Sequence, residues 1–359
     1  RRRGLELAGV LTRRIKALIV LATLGGALPG QAAQPLPGLG ADGAGLTVSG
    51  ISSGGYMAVQ FQVAFSKQVR GAGIIAAGPY DCAEGSSIPA LAHCMSPSAW
   101  APPPKPDEIR PRIESRARLG LIDPPEGLAD DRVWMLGGGA DRTVEPPVMD
   151  ALEAFYRQWV PADALRRVSL PDAGHAMISV ADGKPNACNT SEPPYINRCG
   201  DFDAPGELLR HLLGKLEAAR APEPASLQAF DQRPFISGLP ADVSMAEQGF
   251  VYVPSACRAG GCRVHVAFHG CQQSEDKIGR RFVEGAGYNP WAEANRLIVL
   301  YPQTIARNGR AAGSYRWVLN PKGCWDWWGY SSVDYATRNG PQMAAVHKMV
   351  DRLQEKPGK

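Results

Sequence analysis

No apolar run in the 359-residue sequence reaches the roughly 18 residues that a membrane-crossing helix needs. No C-x-x-C pair occurs, and the only histidine near a cysteine pair is His93, so the spacing of a zinc site is missing. No repeat of solenoid or propeller length is visible. The 40 glycines and 31 prolines follow no G-X-Y period, which excludes collagen and points to a loop-rich globular chain. Charge is scarce as well, at 21% against 44% hydrophobic residues, which excludes long disorder. The formal net charge of +4 is concentrated in residues 1–33, where Arg1, Arg2, Arg3, Arg13, Arg14 and Lys16 stand against Glu6. The remainder holds 33 basic and 34 acidic residues, a balance with no bulk attraction for nucleic acid or anionic membranes. Neither is expected as a partner.

The basic N-terminal segment is followed by the apolar stretch Ala17–Leu28 and then by small residues near Ala32 and Ala33. That three-part pattern predicts a secretory signal over 1–33, leaving 34–359 as one catalytic domain. All 8 cysteines lie after it, as an oxidising compartment would favour. Nearness in sequence suggests the pairs Cys82–Cys94, Cys188–Cys199 and Cys257–Cys262, and leaves Cys271 with Cys324 as a long-range pair. Spacing alone does not settle connectivity.

Short, apolar, non-alternating runs predict parallel strands buried on both faces. They are Gly45–Gly50, Gly73–Gly78, Arg132–Gly137, Arg167–Leu170, Gly249–Pro254, Arg263–His269 and Arg296–Pro302. Helical patterns lie between several of them: Gly55–Phe65, Glu145–Gln158, Glu207–Arg220, Pro290–Asn295 and Pro341–Leu353. This alternation predicts a three-layer α/β fold. Ser96–Pro111, with Pro97, Pro102, Pro103, Pro104, Pro106 and Pro111, reads as an extended surface loop. Ala221–Ala225 reads as a joint within one sheet rather than a domain boundary.

The strongest local signal is Gly50-Ile51-Ser52-Ser53-Gly54, a G-x-S-x-G run between a strand and a helix pattern. This is the context of a nucleophile elbow, whose strained turn exposes the serine hydroxyl. Ser53 is the rival nucleophile, but Ile51 rather than glycine stands two residues before it. A serine nucleophile needs a base and an orienting acid from later strands. Of the 6 histidines, His175 follows a strand directly in LPDAGHAM, whereas His211 and His347 lie within helical patterns. Asp141 lies just past the strand 132–137 and is the expected acid. One oxyanion N–H is expected from Ser53, the residue after the nucleophile. The other normally comes from an H-G loop after an earlier strand; here the H-G loop is 266–273, far downstream of the triad. Read from Phe235, the strands Arg233–Ile236, 249–254, 263–269 and 296–302 precede the nucleophile strand. That gives eight strands in α/β-hydrolase order, circularly permuted, with the old ends joined near 221–225. His265 and His269 on one strand lack a third ligand, so no metal is expected.

Taken together, GISSGGYMAVQ, GGGADRTV, LPDAGHAM, HVAFHGCQQ and CWDWWGY resemble the poly(3-hydroxybutyrate) depolymerase family, in its single-domain type with a circularly permuted α/β-hydrolase fold. The resemblance spans about residues 45–350. It implies Ser52 as nucleophile, Asp141 as acid and His175 as base. It also implies the Ser53 and Cys271 N–H groups as oxyanion hole and Trp325 in the substrate subsite, with Tyr56 and Trp327 as further substrate contacts. The implied activity is hydrolysis of poly(3-hydroxybutyrate) or its oligomers by a secreted monomer that uses no cofactor. Departing from multidomain members, the sequence shows no appended polymer-adsorbing domain, so adsorption would fall to the catalytic domain's own surface. The alternative is a carboxylesterase of the feruloyl or acetylxylan type, because a triad does not encode its substrate.

Overall fold

The computed structural model describes residues 33–312, 315 and 317–357. Nearly all of the expected signal segment therefore lies outside the described residues. From Ala33 onward the chain packs as one unit.

Nine strands join into one sheet: β1 (Gln34–Pro35), β2 (Asp42–Ile51), β3 (Val69–Ile75), β4 (Arg132–Gly138), β5 (Leu165–Leu170), β6 (Leu227–Asp231), β7 (Gln248–Tyr252), β8 (Arg263–Phe268) and β9 (Leu297–Tyr301). Their spatial order is β1-β6-β7-β9-β8-β2-β3-β4-β5. Only β7 runs antiparallel to its neighbours. The central strands are apolar throughout because both faces are covered. Helices Ser53–Ala64 and Pro146–Tyr156 lie on one face, and Ala204–Leu213 and Tyr288–Asn295 on the other. The pleat shows this directly. Gly71 and Gly73 of β3 face Leu212 and Leu208, while Gly137 of β4 faces Met149 on the opposite side. The result is a mixed α/β protein around a central sheet.

The sheet places β2, which carries the serine run, between β8 and β3, although β8 lies more than 200 residues later. Parallel strands point their C-terminal ends to one edge, so the loops after β2, β4, β5 and β8 gather there. Two expectations are corrected. The strand expected at Arg233–Ile236 is Leu227–Asp231 instead, and Arg233–Phe235 forms a 3-10 turn because Pro234 cannot donate to a ladder. The proline-rich stretch 96–111 is not an extended loop to its end: a helix starts at Pro106 and runs to Arg118, through Pro111. Pro106 at the first position costs no hydrogen bond, Asp107 and Glu108 suit the N-terminal turn, and Ile109 and Ile113 bury one face against the core. That burial offsets the bond lost at Pro111.

One buried carboxyl is shifted strongly upward. Asp131, held by Gln62 Nε2 at 2.8 Å, is pushed up to about 7 by burial. A carboxyl whose folded pKa exceeds its unfolded value near 4 stabilises the fold below that value and loses the contribution as pH rises through 7. Asp131→Asn is therefore expected to raise the unfolding free energy at pH 8 by on the order of 4 kcal/mol and to leave it nearly unchanged at pH 4. Urea unfolding at the two pH values checks this, and equal effects at both would refute it.

Candidate active site

Ser52 sits where β2 turns into the helix Ser53–Ala64. Its backbone is left-handed, with φ 55° and ψ −125°, a conformation that costs energy for any residue but glycine. The turn persists because it is held on both sides: the Ser52 N–H donates to Ile75 O at 2.9 Å, and Ser52 O accepts from the Tyr56 N–H at 3.0 Å. Gly54 is required for a separate reason. A Cβ there would lie 2.4 Å from the carbonyl oxygens of both Phe268 and His269, so only a bare Cα lets the elbow touch the end of β8.

His175 and Asp141 meet beside it. The His175 Nδ1–H donates to Asp141 Oδ2 at 2.7 Å, which leaves Nε2 as the basic nitrogen. Asp141 Oδ1 accepts from the Thr143 and Val144 N–H groups at 2.7 and 2.9 Å, so the carboxylate is fixed at both oxygens. The loops bearing the pair lie against each other: the Gly139 and Ala140 N–H groups donate to Leu170 O and Ala173 O. Gly138 allows this approach, since a Cβ there would stand 2.2 Å from Ala173 O. Asp141 is 1% and His175 5% exposed, yet His175 and Ser52 both line one cavity of about 370 Å³. Among the other histidines, His211 donates to Ala164 O and His347 meets Gln68 and Asp351, both away from the site.

The H-G loop forms the adjoining wall. His269, pushed down to about 4 by burial, donates from Nδ1 to Gly270 O at 2.8 Å. The Gly270 N–H donates to Gln273 Oε1 at 2.7 Å, so Gly270 is gripped at both ends. Cys271 lines the cavity and is bonded to Cys324. The remaining disulfides are Cys82–Cys94, Cys188–Cys199 and Cys257–Cys262, and no cysteine is free among the described residues. Both ring nitrogens of His265 are engaged by hydroxyl groups. Buried and pushed down to about 3, it bonds Thr47 and Ser49 on β2.

This arrangement has known relatives. The chain is 41% identical over 335 residues to a poly(3-hydroxybutyrate) depolymerase of Delftia acidovorans, covering 91% of this chain and 63% of that protein. It is 35% identical over 328 residues to a polyhydroxybutyrate depolymerase of Talaromyces funiculosus, covering 90% and 93%. The chain belongs to the poly(3-hydroxybutyrate) depolymerase family. Two solved structures agree, each at 33% identity and a TM-score of 0.78, over 89% of this chain and 99% of theirs. One is a PHB depolymerase from Penicillium funiculosum; the other is a PHB depolymerase with a serine-to-alanine substitution, complexed with an R3HB trimer. No family model matches the sequence.

Within this depolymerase-family cavity the three aromatic candidates part company. Tyr56 and Trp327 line it and stack on each other, with centroids 4.0 Å apart at 10°. The Tyr56 hydroxyl donates to Cys94 O, so its ring rather than its polar end is offered. Trp325 is fully buried and packs edge-on to Phe268 at 5.0 Å, behind the wall and not on it. Its place on the wall is taken by Trp328, which sequence reasoning did not single out. The loop is folded by Asp326, whose carboxylate accepts from the N–H groups of Gly329, Tyr330 and Ser331. Leu91, Met95, Tyr195 and Leu319 also line the cavity and lie outside every motif, while Gln272 lines it from within the H-G loop. Trp325→Ala is expected to lower stability by about 3–5 kcal/mol, as for other large core truncations. Denaturant unfolding measures it, and an unaltered midpoint would return Trp325 to the cavity wall.

Proposed function

We propose that this protein is a secreted serine esterase that hydrolyses poly(3-hydroxybutyrate) or its oligomers. The observation that carries the proposal is the short, buried His175–Asp141 hydrogen bond in a cavity shared with the strained Ser52. In the mechanism, His175 Nε2 takes the Ser52 proton as Oγ attacks an ester carbonyl. The Ser53 and Cys271 N–H groups hold the oxyanion, and His175 then protonates the departing 3-hydroxyl. Water activated by the same nitrogen releases the hydroxyacyl group from Ser52. Asp141 keeps the imidazole in the required tautomer.

The substrate assignment rests on the family and on the apolar aromatic wall of Tyr56, Trp327 and Trp328, which suits a methyl-bearing polyester. The chain spans 63% of the length of the Delftia relative, so the activity named for that protein reaches this one as part of the proposal. Export is favoured by the four disulfides and the basic-then-apolar N-terminal segment. We also infer a circularly permuted α/β-hydrolase. Starting at β6, the sheet order reads first, second, fourth, third, fifth through eighth, with the second strand antiparallel, and β1 is added outside β6.

Ser52→Ala is expected to lower hydrolysis of hydroxybutyrate oligomers by several orders of magnitude, whereas Ser53→Ala keeps its N–H and loses far less. Release of soluble 3-hydroxybutyrate measures both. Comparable losses would identify the wrong nucleophile, and no release by the wild type from polymer or oligomer would exclude the polyester. Trp327→Ala is expected to weaken turnover of oligomers by about 1–2 kcal/mol of transition-state stabilisation while sparing short acyl esters, since the ring offers remote contact only. A steady-state comparison of a trimer with an acetate ester tests it, and equal losses would mean the stack is structural.

A further inference from the structure

The H-G loop follows β8 and the loop bearing His175 follows β5, and three strands, β2, β3 and β4, lie between them. Ladder hydrogen bonds therefore set the separation of these two loops only indirectly. One buried side chain spans the gap. Gln273, 1% exposed, accepts the Gly270 N–H on Oε1 at 2.7 Å and donates from Nε2 to Pro194 O and Tyr195 O, both at 3.0 Å. These partners fix which end of the amide is which, because a backbone N–H only donates and a backbone carbonyl only accepts.

Each end of the amide grips a segment with a chemical task. On one side, Gly270 O accepts from His269 Nδ1 at 2.8 Å and from the Gln273 N–H at 3.2 Å. The peptide that follows is trans, so the Cys271 N–H points opposite to that carbonyl, and no acceptor among the described residues takes it. On the other side, the segment from Cys188 to Tyr195 holds the backbone around His175. The Gly174 N–H donates to Cys188 O at 2.9 Å, the His175 N–H to Ser191 Oγ at 2.8 Å, and the Met177 N–H to Tyr195 O at 2.9 Å. Tyr195 O is thus shared between Gln273 and the strand that follows the base. A second tie, from Gln272 Nε2 to the Tyr195 hydroxyl at 3.0 Å, joins side chains that are only half-buried.

An oxyanion donor and a general base must be placed relative to the same carbonyl carbon. A misplacement of about 1 Å between them costs on the order of 100-fold in rate. Building on the esterase reading above, we propose that Gln273 is a positioning residue for the hydrolysis, whose amide sets the spacing between the Cys271 N–H and the His175 base. It acts through its neighbours and so affects the chemical step of every ester alike.

The test combines two variants with a 3-hydroxybutyrate trimer, a short acetate ester and butylboronic acid, which adds to a catalytic serine as a tetrahedral, charged mimic of the intermediate. Gln273→Glu keeps the size and an acceptor for the Gly270 N–H but turns a carboxylate oxygen toward two carbonyls. Gln273→Met removes both sets of bonds. Each is expected to lower kcat about 10- to 100-fold on both esters, to leave KM within about twofold, and to raise the boronic acid Ki by the same factor as kcat falls. A loss of kcat with Ki and KM unchanged would mean only that fewer molecules are folded, and would overturn the proposal. A loss confined to the trimer would make Gln273 a substrate contact and overturn it too, as would an unchanged kcat. Should Gln273→Met not fold, Gln273→Glu decides alone. Failure of the underlying reading looks different: Ser52→Ala would retain hydrolysis, or the wild type would turn over neither ester.

Discussion

The carbonyls of Phe268 and His269 lie against the bare Cα of Gly54, and this backbone contact sets the geometry of everything around the serine. It holds the elbow after β2 to the loop after β8, so Ser52 and Cys271 come to line the same space. A side chain at position 54 would part the strands or turn the elbow away. The strain at Ser52 is tolerated for the same reason. Flanking strands on both sides anchor the turn, and the relaxed alternative would break their ladder.

Around this contact lies a second layer of buried polar groups that reach across loops. Gln273 takes the Gly270 N–H with its oxygen and gives both amide hydrogens to Pro194 O and Tyr195 O. Asp326 closes the tryptophan loop on itself, and Gln60 and Gln342 hold that loop to two helices. Gln273, Gln342 and Asp326 are buried with hydrogen bonds at both ends of their polar groups, as buried amides and carboxylates must be if the core is to remain stable. Burial raises the Asp326 pKa, and the three N–H donors and the Ser331 side chain oppose that shift.

Much of this is legible in the amino-acid order because certain chemistry demands local spacing. The elbow needs glycines beside a serine, the acid and base must follow strand ends, and disulfides among near cysteines close short loops. What the order hides is which way an aromatic ring faces. Trp325, Trp327 and Trp328 lie within four consecutive positions of an irregular loop, where no period of 2 or 3.6 assigns faces. Only the Asp326 turn decides that the first is buried and the others line the cavity. Tyr195 escapes for a related reason, since a left-handed backbone at a residue other than glycine leaves no compositional mark. Pro106–Arg118 shows the converse error, in which a strong local breaker is overruled by an apolar face that finds a core.

The pairing of β2 with β8 also has a consequence for how the protein is made. Ser49 and His265, hydrogen-bonded in the core, are separated by 216 residues. A growing chain that has emerged as far as His175 already contains Ser52, Asp141 and His175, yet one edge of β2 is open until β8 has been synthesised. Such a fragment exposes an apolar parallel edge, so the nascent chain is prone to mispairing. Contacts this distant also slow the search for the native topology. The central sheet is complete only late, when the C-terminal half closes it around a strand translated long before.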